Sequence, residues 1–362
     1  MPLLNTLSAS EQAAAQLRAE IERGHRHGAM PGVNRLSKEL GINRKTVESA
    51  LRQLEQSGQL LNQGAGRKRL IVPPRRNAAR AMRVALLLYE PDDRQTDYIV
   101  GLQYALAEAG HAVVVAPKSL TELNMDLARV KRLVKRTPAD AWIVTVGSRP
   151  VLEWFSAQAV PAMALFGRRE GVSIAATGPD KPPAYAAATR QLLNLGHRRI
   201  VLVTRRVRRL PELGRSERAF VDELAAHGVA VSNYQLPDWE ETREGLQNLL
   251  VSLFQVTPPT ALIIDEAPYF IATQQFLAGR GLRVPEQVSL ICTDADPAFA
   301  WCTPAISHIH WDSEPIIQRI VAWARNVSRG RKDVRQTLRE AKFIEGGTTG
   351  PANVEIEIPK SR

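Results

Sequence analysis

The sequence predicts an α/β protein in which a small winged helix-turn-helix module precedes parallel sheets wound with helices. Three observations carry that prediction. Positive charge is concentrated at one end, helical periodicity gives way to a short hairpin pattern near residue 60, and short apolar runs alternate with helical stretches from residue 83 onward. A chain of 362 residues is long enough for two or three domains. Its charged fraction of 23% and mean hydropathy of −0.20 are those of a globular chain. No apolar run reaches the roughly 18 residues of a membrane span, and no charged-then-apolar leader marks the chain for export. Cys292 and Cys302 are the only cysteines, too few for a disulfide framework, so a cytoplasmic protein is expected.

The charge is unevenly placed. Met1 through Arg83 carry fifteen Lys and Arg against six Asp and Glu, so +9 of the net +11 lies in the first 83 residues. A compact basic module on a nearly neutral body points to a polyanionic partner.

In that module, Ser10 can cap a helix from Glu11 to about Arg26, with Ala14, Leu17 and Ile21 at helical spacing. A turn at Met30-Pro31-Gly32 follows. Leu36–Leu40 is a short helix stopped by Gly41. Asn43 then caps a longer helix running through Ser57, whose buried stripe is Val47, Ala50, Leu51 and Leu54. Gly58 supplies a left-handed stop, and Gln59–Leu61 and Leu70–Val72 form two strands of a wing around Gly64 to Arg69. The prolines and arginines of residues 73–82 read as a linker.

From Arg83 onward, Val84–Leu88 is an unbroken apolar run, as a central parallel strand requires, and the β–α alternation continues through Ala112–Val115, Trp142–Val144, Ala162–Leu165, Ile200–Val203, Ala261–Ile264 and Val288–Ile291. Helical stretches over Tyr98–Glu108 and Ala219–His227 lie between them. About 280 residues suffice for two such lobes.

The second helix of a helix-turn-helix enters the major groove, with its first turn facing bases and phosphates. Here that turn is Asn43-Arg44-Lys45-Thr46. Arg44 suits a bidentate guanine contact, Thr46 a phosphate, and the capped helix end offers free N–H groups beside Lys45. The wing adds Arg67, Lys68 and Arg69.

Met30-Pro31, Leu36, Leu40-Gly41-Ile42, Arg44, Thr46-Val47, Ala50-Leu51, Leu54-Glu55, Gly58 and Gly64-Ala65-Gly66 resemble the winged-helix domain of GntR-type bacterial repressors. That resemblance implies double-stranded operator DNA as partner and adds Arg35, Ser37 and Gly64 to the DNA-binding set. It departs from the family at Gly32-Val33-Asn34, at Glu48 and in the basic wing, so no operator sequence carries over.

A second stretch resembles LacI-type effector domains. It comprises Asp180, Ala184, Ala188, Leu192, Leu195-Gly196-His197-Arg198-Arg199-Ile200, Gly281, Val284–Ile291, Asp294, Pro304, Ile306–Ile309 and a closing strand at Glu345–Gly350. The resemblance covers roughly 83–350 and implies a two-lobed periplasmic-binding-protein-like fold with parallel sheets, clamping a small effector, usually a sugar or nucleobase. It places an effector contact at Asp294. Asp265 ends the equivalent strand, and Arg215 and Arg218 flank the family's effector arginine; their alternatives are a helix cap for Asp265 and surface charge for the arginines. Trp239, Trp301 and Trp311 could offer a stacking face or fill the core.

The expected organisation is a DNA-binding domain over 1–72, a linker over 73–82, an effector and dimerisation domain over 83–350 and a tail over 351–362. No Gly-x-Ser-x-Gly, His-Glu-x-x-His, phosphate-cradling loop or Cys-x-x-Cys occurs, so no catalytic residue and no cofactor is expected. The pairs His25/His27 and His308/His310 lack further ligands, so no metal site is expected either. The leading expectation is a homodimeric, ligand-responsive repressor with a sugar-like effector and no membrane partner. Two alternatives are a ligand-insensitive or architectural DNA-binding protein and a pyridoxal-phosphate, aminotransferase-like fusion.

Overall fold

The structure is a computed structural model that describes residues 8–22, 25–64, 67–72 and 80–353. The wing tip at 65–66, most of the expected linker (73–79) and the tail from 354 lie outside the described residues. The chain divides into two compact units. The first comprises Met1–Val144, Phe155–Ala162 and Ile320–Val334, the second Thr145–Trp154, Met163–Arg319 and Arg335–Arg362.

The first unit opens with helices α1 (Ala9–Glu22), α2 (Val33–Leu40) and α3 (Arg44–Gln56) and the two-residue strands β1 (Leu60–Leu61) and β2 (Leu70–Ile71). Helix α1 starts earlier than expected. Ser8, not Ser10, is its cap: the Glu11 N–H donates to Ser8 Oγ at 3.3 Å while the Ser8 N–H donates to Glu11 Oε2 at 2.7 Å. A carboxylate three residues after a serine satisfies two free N–H groups reciprocally, which Ser10 could not do. Leu17, Leu36, Val47, Ala50, Leu51 and Leu54 are fully buried in one core, as the helical spacing predicts.

Gly41 (φ 66°) and Gly58 (φ 73°) end α2 and α3 in the left-handed region that favours glycine. The wing strands pair antiparallel, Leu60 with Ile71 and Leu61 with Leu70. The expected turn at Met30 does more than turn. Met30 N donates to Arg69 O and Ile71 N to Gly28 O, both at 2.8 Å, so residues 28–30 line the second wing strand. The same unit holds β3 (Arg83–Leu87), α4 (Asp97–Glu108), β4 (Ala112–Val115), α5 (Leu127–Arg136) and β5 (Ala141–Thr145). Its parallel strands run in the order β4-β3-β5.

After helix α6 (Arg149–Ser156), the second unit contains β6 (Ala162–Leu165), β7 (Ala175–Asp180), α7 (Pro182–Asn194), β8 (Ile200–Val203), α8 (Arg206–Arg209), α9 (Arg215–Ala226), α10 (Arg243–Val256), β9 (Ala261–Ile264), α11 (Ala267–Gly279), β10 (Ser289–Cys292), β11 (Ser307–Trp311) and β12 (Gln336–Ile344). The strand order is β6-β7-β12-β11-β10-β9-β8, antiparallel only between β11 and β12. The expected closing strand at Glu345–Gly350 is instead the segment after β12. Thr348 exchanges bonds with Leu290 there, but Gly346 packs so tightly that an added Cβ would stand 2.4 Å from the Ala305 carbonyl oxygen.

Register is what positions the site. Val203, Ile264 and Cys292 stand opposite one another across β8, β9 and β10. All three strands are buried along their length, so each stops where its apolar run meets a polar residue. Those next residues are Thr204, Asp265 and Thr293.

Candidate functional site

Two groups of residues need placing, one in each unit. On α3, Asn43 Oδ1 accepts from the Thr46 N–H at 2.9 Å and from Thr46 Oγ1 at 3.0 Å, which closes the first turn. Asn43, Arg44 and Lys45 are exposed, and the buried stripe faces away from them. Arg67 and Lys68 are exposed as well, and Gly64 turns the wing at φ 98° with its N–H on Asn62 Oδ1. Arg69 corrects the expected set, because its guanidinium is bound to the half-buried Glu55 of α3 and pins the wing to the helix. Ser37 likewise turns inward, donating to the Ile42 carbonyl at 2.5 Å. Arg35 is 77% exposed and pairs with Glu39 on its own helix. Lys38 and Arg52 are further exposed cations that sequence reading passed over.

In the second unit the three strand ends form a polar row beyond an apolar sheet, at the C-terminal edge where parallel sheets place ligands. Asp265 is fully buried. Its Oδ1 accepts from Thr293 Oγ1 at 2.8 Å, its Oδ2 from Thr204 Oγ1 at 3.3 Å, and Arg208 Nε stands 2.8 Å from Oδ2. Burial works against the Asp265 charge, but Arg208, Lys181, Thr293 and Arg205 outweigh it and hold the carboxyl below its ordinary value. Asp265 is therefore a buried partner for this chain's own cation, not a helix cap. Glu217 is also buried, and burial raises its carboxyl despite Arg208.

Asp294 lies one residue beyond Thr293. Lys181 Nζ meets its Oδ1 at 2.5 Å and donates to the Thr293 carbonyl at 3.2 Å; Trp311 Nε1 donates to the same Oδ1 at 3.1 Å. Phe166 packs edge-on against Trp311, with ring centroids 5.7 Å apart. Asp180 and Arg215 meet at 3.2 Å at the start of α9, whereas Arg218 is exposed and makes no contact with either acid. Of the tryptophans, Trp311 joins the site. Trp239 packs on Tyr269 and donates to the Thr204 carbonyl, and Trp301 is 90% exposed.

The sequence singles out Arg215 and Arg218, of which Arg215 meets Asp180, but not Arg205, Arg208 and Lys181, which stand at the strand ends. The missed signal was the run Thr204-Arg205-Arg206-Val207-Arg208-Arg209 directly after a buried strand. Arg205 is buried and pairs with Glu266 at 2.8 Å, and Arg209 pairs with Asp238 at 2.6 Å. Among the described residues no group of three or more His, Cys, Asp or Glu side chains could hold a metal ion.

Glu266 makes a testable point. It sits at φ 61°, and burial with the neighbouring Asp265 charge pushes its carboxyl up to about 7 against the pull of Arg205 and Arg208. A carboxyl raised in the folded state holds its proton more tightly there than in the unfolded chain, where 4.5 is the ordinary value. The fold therefore loses stability as pH rises from 4.5 to about 7 and loses no more above that. Glu266→Gln removes this titration, so the variant's melting temperature should climb relative to wild type across that window. A constant difference from acid to neutral pH would refute the assignment.

Residues 9–66 match the profile of bacterial regulatory proteins of the gntR family, and residues 189–349 match that of a periplasmic binding protein-like domain. The chain joins a GntR-type winged helix to a periplasmic-binding-protein-like domain. Over 166 residues, 46% of this chain, it is 26% identical to the HTH-type transcriptional regulator AscG of Escherichia coli (strain K12). The matched stretch spans about half the length of that relative, 49%. The solved structure of the ascG repressor superposes with a TM-score of 0.58 at 21% identity, over 75% of this chain and 100% of that one. A LacI family regulator from Enterococcus faecium with bound ribose gives 0.61 at 16% identity, over 75% and 100%. The regulator CelR in complex with cellobiose gives 0.62 at 18% identity, over 88% and 100%. These likenesses establish the LacI-type fold of the region behind the GntR-type winged helix. Among the described residues no helix is long and apolar enough to cross a membrane.

Proposed function

We propose that the chain is a sequence-specific DNA-binding transcription regulator, a repressor whose hold on its operator changes when a small sugar-like ligand binds the second unit. The observation that carries this reading is the outward first turn of α3, where a satisfied Asn43 cap leaves Arg44 and Lys45 exposed; Arg67 and Lys68 of the wing are exposed as well. Residues 1–72 would read DNA, 73–82 would link, and 83–350 would bind effector and dimerise, since a symmetric pair doubles a short half-site. The matched regulators, two of them solved with ribose or cellobiose, support a sugar-like effector and binding rather than catalysis. Acids whose charges are already met, Asp294 by Lys181 and the buried Asp265 by Arg208, are also unsuited to general acid–base work. Differential affinity of the ligand for two conformations would transmit its presence to the reader.

The test uses DNA recovered by selection from a random-sequence pool. Asp294→Asn keeps an acceptor for Trp311 but discharges the partner of Lys181. Its DNA affinity should stay at the wild-type level, while the ligand concentration needed for release should rise about 30- to 150-fold, the loss of about 2–3 kcal/mol of hydrogen bonding to a charged group. Loss of DNA binding together with the response would make Asp294 structural. A wild-type chain that binds DNA but ignores every small molecule would favour the ligand-insensitive alternative.

A further inference from the structure

The strand-end site of the second unit carries more positive charge than a neutral polyol needs. The charge of Asp294 is already met by Lys181 at 2.5 Å, which leaves that acid only its other oxygen for a sugar hydroxyl, and the charge of Asp265 is met by Arg208 at 2.8 Å. Two consecutive arginines after the Phe166-Gly167 turn lack such partners. Among the described residues Arg168 lies within hydrogen-bond reach only of backbone carbonyls, with Nη2 donating to Val207, Leu210 and Glu212 at 3.0, 2.9 and 2.7 Å. Arg169 is 8% exposed, and among the described residues no carboxylate lies within ion-pair distance of it or of Arg168.

Burial is the largest influence on Arg169 and works against its charge; Glu170 and Asp180 relieve that only in part, and Arg215 adds to it. Asp180 is shared with Arg215, whose guanidinium starts α9 at 50% exposure. A buried cation without a counter-ion is costly, and a protein keeps one where a ligand supplies the missing charge.

We propose that this site takes an organic oxyanion, a sugar derivative bearing a phosphate or carboxylate, with Arg169 and Arg215 holding the charged group and Phe166 and Trp311 facing the ring. This rests on the reading of the second unit as a small-molecule sensor and names its ligand class. Planar guanidiniums suit either oxyanion through paired N–H bonds, and a neutral sugar would leave Arg169 unmet.

Thermal melting of the full chain tests the site, with inorganic phosphate or acetate replacing chloride at matched ionic strength. Phosphate should raise the melting temperature if the ligand bears a phosphate, and acetate should do so if it bears a carboxylate. The increment should vanish in Arg169→Met and shrink in the half-exposed Arg215→Met. It should persist in Arg44→Ala/Lys45→Ala, which removes the competing basic surface of the reader. Without added anion, Arg169→Met should melt higher than wild type, because an unpaired buried charge is gone. No increment from either anion, or an undiminished one in both arginine variants, would overturn the proposal.

The sensor reading fails separately. Release from DNA by a neutral hexose, unchanged in Arg169→Met, would sink the anion site and leave the regulator standing. Arg169-dependent anion binding by a chain that never binds DNA would do the reverse.

Discussion

Asp265→Ala is expected to cost about 3–5 kcal/mol of stability, the loss typical of removing one partner from a buried ion pair. The residue is fully buried, and its removal strands the Arg208 guanidinium together with the hydroxyls of Thr204 and Thr293. Arg208 keeps about a third of its side chain in contact with solvent, 31%, so the lower end of that range is expected. Asp265→Asn keeps acceptors for the hydroxyls and loses only the charge, so it should cost less. Denaturant titration of the second unit's transition measures both.

The pH dependence is specific. A carboxyl held below its ordinary value of 3.8 stabilises the fold above that pH and ceases to as pH falls through the lower folded-state value. The gap between wild type and Asp265→Ala should therefore narrow only in strong acid. A cost below about 1 kcal/mol at neutral pH would mean that water, not Asp265, satisfies Arg208.

Arg44→Ala should leave the fold intact and weaken binding to selected DNA by about 1–3 kcal/mol, roughly 5- to 150-fold, while barely changing affinity for random DNA. The residue is exposed, and the helix keeps its cap and buried stripe without it. Arg67→Ala is the contrast: a wing cation facing phosphate should weaken both DNAs alike. Gel-shift titrations of both variants against both DNAs separate the roles. Equal loss on both DNAs for Arg44→Ala would make Arg44 a phosphate contact.

Much of this architecture could be read from local pattern, and the exceptions have physical causes. The runs Ile200–Val203, Ala261–Ile264 and Val288–Ile291 announce buried strands, and the register, which carries the third on to Cys292, sets Thr204, Asp265 and Thr293 level with one another. Strands β7 and β12 lie outside the apolar pattern because Ala175–Asp180 and Gln336–Ile344 lack a continuous apolar run, and β12 buries only Ala341 among exposed and half-buried residues. Asp294 was legible as a strand end, but its partner Lys181 lies 113 residues away, and no local periodicity encodes that distance. Family spacing points to Arg215 and Arg218, and only Arg215 reaches an acid of the site, Asp180. The guanidinium that meets Asp265 comes from the short helix α8, where four residues are too few to show periodicity. Arg69 looked like a phosphate ligand because a sequence gives its charge and not its attachment to Glu55.

That attachment sets the number for the most direct test of DNA recognition. With Arg69 bound internally, the first turn of α3 and the wing keep four exposed cations, Arg44, Lys45, Arg67 and Lys68. A homodimer would then neutralise about eight phosphates and give a limiting slope near −7 for the logarithm of affinity against the logarithm of salt concentration. Fluorescence anisotropy of the full chain on the selected DNA across a salt series measures it. A steep negative slope approaching that limit is the expected result, and a slope near zero would contradict DNA binding by this surface.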